Sequence, residues 1–153
     1  MNVLALERMD RGDGAGHTLQ ILVDGRDLAQ FARDVELSSA AADDQPELAG
    51  SYAGPALWRI EDLAADLLGR QDPIYGEDRR LELLVCASCG EPGCWPLEAQ
   101  VDVNQERVRW SDFRQPHRPA WDHRGLAFEF DRGQYEVAIA RLIRQGWRGP
   151  DAA

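Results

Sequence analysis

Three cysteines stand within one short run, Cys86-Ala87-Ser88-Cys89-Gly90-Glu91-Pro92-Gly93-Cys94, and they are all the cysteine this chain has. Cys86-x-x-Cys89-Gly90 has the form of half a zinc knuckle, in which thiolates are held by backbone amides of a glycine-bearing turn. A structural zinc site takes four ligands. Here the remainder is Cys94 and a histidine far along the chain, so the candidate metal set is Cys86, Cys89, Cys94 and His117. His123 is the other distant imidazole. Two further chemistries use the same atoms. A dithiol redox pair needs a strand feeding a helix whose N-terminus lowers a thiol pKa, and a strand follows this turn instead. A cysteine nucleophile with a histidine base has its residue types but no local signature. Without chemistry, Cys86 is a small apolar residue of a strand, and Gly90, Pro92 and Gly93 shape a tight connection. A persistent Cys86–Cys94 disulfide is not expected in a reducing compartment.

Residues 110–125 form a second unusual cluster, with two Trp, two His, three Arg and two Pro. Pro116 and Pro119 push their predecessors toward extended geometry, so Gln115 to Pro119 reads as a stiff strap. Gln115, His117, Arg118 and Trp121 are the candidates for a binding surface, because tryptophan and arginine make strong anchors. His117 near Asp112 or Asp122 has the parts of an oriented base. Trp110 is expected to point inward by strand alternation.

The elements that must position these residues follow from periodicity. Residues 2–9 and 18–23 pair as an N-terminal hairpin. Asp27 caps a short helix over 28–35. Residues 37–55, rich in Ala, Ser, Asp and Gly, read as a surface loop. An amphipathic helix over 57–68 stops at Gly69. Alternating runs at 81–85, 97–103, 108–110 and 126–130 form an antiparallel meander, turning at Asn104-Gln105-Glu106. Asp131 starts the last helix, with Gln134 completing a capping box. The fold class is α+β: one domain over 1–153, a mainly antiparallel sheet, a hairpin, three or four meander strands and two or three helices. Residues 147–153 read as a frayed tail.

Composition narrows the functions. The 153 residues carry 27 acidic side chains against 17 basic ones, all arginine, for a net charge of −10. Such a surface repels phosphate backbones, so no nucleic-acid partner is expected. No apolar run is long enough to span a bilayer and residues 1–10 lack a signal peptide's cationic start, so a cytoplasmic protein without a membrane partner is expected. Charge is uneven: residues 34–78 hold 11 acids and two Arg, whereas 107–148 hold nine Arg and five acids. These stretches either meet within the fold or steer a charged partner.

Cys89-Gly90-Glu91-Pro92-Gly93-Cys94-Trp95-Pro96-Leu97, then Trp110-Ser111-Asp112-Phe113-Arg114-Gln115-Pro116-His117-Arg118-Pro119, Trp121-Asp122 and residues 130–136 resemble an uncharacterised bacterial family. The likeness covers about residues 81–142. It implies no activity and no site residues. Members of that family place their first cysteine closer to the second than Cys86 stands to Cys89, a departure that weakens a shared zinc site. The function expected from the residues is a non-catalytic binding domain with a protein partner and no required cofactor. The alternative is a zinc- or thiol-dependent enzyme centred on the cysteine loop.

Overall fold

A computed structural model describes residues 1–10, 17–69 and 80–145. Strands β1 (Leu4–Asp10), β2 (His17–Val23) and β3 (Arg26–Asp27) form one antiparallel sheet. Strands β4 (Tyr52–Ala53), β5 (Leu81–Cys86), β6 (Leu97–Val103), β7 (Arg107–Arg114) and β8 (Phe128–Asp131) form a second, in sequence order and antiparallel throughout. Helices α1 (Leu28–Ala42), α2 (Ile60–Leu67) and α3 (Arg132–Gln145) complete an α+β domain. The expected tail lies outside the described residues.

Local chemistry accounts for the turns. Asp24 and Gly25 both have positive φ, the requirement of a two-residue turn joining paired Val23 and Arg26. Asn104 Oδ1 accepts from the amides of Glu106 and Arg107, closing the β6–β7 connection. Gly69 ends the second helical segment with φ +78°.

The two sheets are sewn together at Asn2 and Gln134. The Asn2 amide donates to Glu129 O, and its side chain accepts from Glu129 N. Gln134 was expected to reach back to Asp131; instead its amide group bonds both N and O of Leu4, behaving like a further strand residue. Asp131 still caps α3 by accepting from Gln134 N. Beneath this seam Trp110, Phe130 and Tyr135 are fully buried. Trp110 Nε1 donates to Tyr135 Oη, which donates to Leu67 O, so one polar chain fixes α2 and α3 against β7.

The expected loop over 37–55 is corrected. Helix α1 continues to Ala42, followed by a single 3-10 turn (Pro46–Leu48) and β4. Its buried positions are Leu28, Ala32, Glu36 and Ala40, four apart. A stripe that is small or charged in its second half carries no hydrophobic signal, but alanine is the best helix former and fits under close contacts. The following chain presses tightly on its neighbours. A Cβ at Gly54 would lie 1.4 Å from Leu19 O, where the bridge between Thr18 and Ala56 joins β2 to this segment. Gly54→Ala should therefore cost about 2–3 kcal/mol, by forcing that backbone apart, in urea unfolding monitored by circular dichroism. A cost within about 0.5 kcal/mol, the range of a neutral surface change, would show that the close approach is not required.

Candidate metal centre and its rim

Cys86 is the last residue of β5, and the turn 87–96 leads to β6. Gly90, with φ +69°, donates its amide to Cys86 O at 2.8 Å, which curls the chain back over the strand end. In that curl the amides of Cys89 and Ser88 hydrogen-bond the Cys86 sulfur. Gly93, also at positive φ, donates to Glu82 Oε1 at 2.9 Å, and Cys94 donates its amide to Glu91 O. The result is convergence. The sulfurs of Cys86, Cys89 and Cys94 lie within 4.8 Å of one another, the first buried and the others exposed.

Their titration is uneven because their surroundings are. The Cys89 amide on its sulfur lowers the pKa of Cys86, helped by the Ser88 amide and opposed by burial. Cys94 is pushed up to about 11, chiefly by hydrogen bonding to Cys89 and then Cys86. One thiol whose ionisation the amides favour thus stands beside another that holds its proton more firmly.

The second cluster sits on this turn, as the motif-bearing loops were expected to. Its backbone is two consecutive turns rather than an extended strap. Gln115 O accepts from Arg118 N and Arg118 O from Trp121 N, with Pro116 and Pro119 each one residue after the first acceptor or the second. Proline's fixed φ suits that turn position, which outweighs the extended bias it places on its predecessor. Trp95 is the hub: the His117 ring stacks on it at 14° between planes, the Arg118 guanidinium lies over it, and Trp121 meets it edge-on. His117 Nε2 is 3.0 Å from Gly93 O, one residue before Cys94. The imidazole therefore neighbours the sulfurs but is not among the atoms that converge within 4.8 Å.

Two binding-surface candidates are corrected. Gln115 is completely buried and Trp121 nearly so, whereas His117 is exposed and Arg118 half-buried. The reason is a bulge. Asp112 takes φ +53° and the β6–β7 register slips there, so inward positions change from Val108 and Trp110 to Phe113 and Gln115. Gln115 then donates to Pro96 O and Tyr52 Oη and accepts from His117 N. Trp121 donates from Nε1 to Asp43 Oδ2.

Sequence reading missed the buried group behind this rim. Glu36, wholly buried, accepts from Gly50 N at 2.9 Å through Oε1. Its Oε2 accepts from Tyr52 Oη at 2.5 Å and faces His123 Nε2 at 2.7 Å. Hydrogen bonds thus run from His123 through Glu36, Tyr52 and Gln115 to His117 and the cysteine turn. A glutamate four residues from Ala32 and from Ala40 on a buried stripe was the available signal. Glu36–His123 also joins the acidic and arginine-rich stretches of the chain.

Burial raises Tyr52 and Tyr135 well above the ordinary tyrosine value of 10.0, and Glu36 adds to the shift at Tyr52. Both phenols are neutral in the folded state at higher pH than when unfolded, so their contribution is complete below pH 10.0 and is lost above it. Urea midpoints should fall as pH rises past 10, and tyrosinate absorbance of these two residues should appear only with unfolding. Ionisation of more than one of the chain's three tyrosines in a still-folded protein would refute this.

Among the described residues no helix is long and apolar enough to cross a membrane. Comparison of the chain with family models, curated proteins and solved structures gives no match.

Proposed function

We propose that this chain is a non-catalytic binding domain whose contact rim is organised by a zinc-class ion on Cys86, Cys89 and Cys94. The observation carrying this reading is the convergence of three sulfurs on a turn whose amides favour the ionisation of one of them. Zinc fits the donor set. Thiolate ligands select soft or borderline metals, and tetrahedral Zn–S bonds of about 2.3 Å put sulfurs roughly 3.8 Å apart, compatible with the spacing present. His117 is the fourth ligand in this reading, exchanging the Gly93 carbonyl for the metal. The ion would fix the turn under Trp95, and with it the half-buried Arg118 that faces a protein partner.

The proton held by Cys94 makes uptake pH-dependent. Titrating zinc into metal-free protein near neutral pH should release protons, and affinity should fall steadily as pH drops. Calorimetry in buffers of different ionisation enthalpy reads this directly. Uptake without proton release would contradict thiol ligation.

The alternative, a zinc- or thiol-dependent enzyme, is favoured by one observation, the exposure of Cys89 and Cys94. It predicts alkylation of a thiol near neutral pH faster than that of a free cysteine peptide. Slow alkylation that accelerates only after chelation supports the binding domain instead.

A further inference from the structure

A cavity of about 580 Å³ opens between β7 and residues 118–127. Four arginines line it, Arg109, Arg114, Arg118 and Arg124, against Asp112 and Asp122. Such a concentration of cations is out of keeping with a chain of net charge −10. The two aspartates are already engaged. Arg80 pairs with Asp112, and Arg124 grips both carboxylate oxygens of Asp122 at 3.0 and 2.9 Å. The Arg124 contact holds the Asp122 carboxyl down at about 2, so that carboxylate is ionised at any ordinary pH.

Arg118 lies over Trp95 and donates to His117 O. Arg109 and Arg114 are exposed and form no ion pair or side-chain hydrogen bond among the described residues. Arg109 stands across from Asp102 and Glu129 in the sheet register, but Glu129 is taken by Arg107 and no ion pair joins Arg109 to Asp102. The bulge at Asp112 matters here as well. It turns Arg114 outward to the same face as Arg109, although the two are five residues apart. Buried Phe113, Trp121 and Leu126 supply the apolar part of the lining.

We infer that this cavity binds a compact small-molecule polyanion, carrying two or more oxyanion groups as phosphate esters and tricarboxylates do, through the unpaired guanidiniums of Arg109 and Arg114. Each guanidinium can present two parallel N–H donors to one oxyanion, a geometry that lysine does not reproduce. The volume falls within the range of small-molecule sites. Because no sulfur lines the cavity, the inference stands apart from the metal reading.

The test is isothermal calorimetry of the full chain at low ionic strength, with a hexose bisphosphate in one arm and tricarballylate in the other. Both chelate zinc poorly, so the cysteine turn is left undisturbed. The expected result is saturable one-to-one binding of at least one probe, weakening as salt rises. Binding should be roughly tenfold weaker in Arg109→Gln and in Arg114→Gln, and unchanged in Arg141→Gln on the exposed face of α3. Arg114→Lys should recover only part of the loss, which separates fork geometry from charge. The probe bound more tightly identifies the oxyanion class. Absence of saturable binding to both probes, or Arg109 and Arg114 variants within twofold of the parent, would overturn the inference.

Discussion

Glu36→Ala is expected to destabilise the protein by about 3–5 kcal/mol, the cost of leaving several buried hydrogen-bonding groups unsatisfied together. The change leaves three groups without their partner at once: the Gly50 amide, the Tyr52 hydroxyl and His123 Nε2. Water cannot reach the vacated position easily, since Glu36 has no exposed surface and His123 is nearly as buried. Against the 5–15 kcal/mol typical of a whole domain, such a loss takes up a large share of the stability. Urea denaturation should register it, and thermal unfolding should fall by roughly 10 °C. Glu36→Gln should cost less, because an amide oxygen can still accept from Gly50 and the volume is kept. Tyr52→Phe should also cost less, and its effect should not add to that of Glu36→Ala, since they share one bond. A loss under about 1 kcal/mol for Glu36→Ala would mean that the group behaves as a solvated surface pair.

Replacing any one of Cys86, Cys89 and Cys94 by serine is expected to reduce zinc affinity by about two orders of magnitude. The estimate follows from dividing the 10–16 kcal/mol of a four-ligand structural site among its ligands, roughly 3 kcal/mol each. The three variants should differ in a second property. Cys86 is buried at the end of β5 and accepts two amides, so Cys86→Ser also disturbs the turn in the metal-free protein. Cys89 and Cys94 are exposed, and their serine variants should keep the stability of the metal-free parent. Competition with a colorimetric zinc chelator measures the affinities. Equal zinc binding by the parent and by Cys94→Ser would remove Cys94 from the ligand set.

What could be read in the chain divides along physical lines. The hairpin, the meander, the caps of α1 and α3 and the glycine stop after α2 were legible, because each rests on local periodicity or a local hydrogen bond. The end of α1 was not, since Ala40 and Glu36 give no apolar stripe. The inward turn of Gln115 depends on a single bulge at Asp112, which alternation counted from Trp110 cannot foresee. Of the candidate site, the meeting of the cysteine turn with the His117 segment was legible from two dense motifs. Trp95 as their shared platform was not, because nothing in a sequence of turns says which ring will lie between them. The arginine-rich stretch was legible as composition, but which of its arginines share one cavity was not, because only the register assembles them.

Native mass spectrometry of the full chain, purified without added metal and then reconstituted with zinc, tests the central claim most directly. The account predicts a mass raised by one zinc ion less the protons it displaces, returning to the bare polypeptide on chelation and absent from Cys89→Ser at matched concentrations. A bare polypeptide mass after reconstitution, or a mass short of the two hydrogens of a disulfide under reducing conditions, would contradict a metal centre on these three sulfurs.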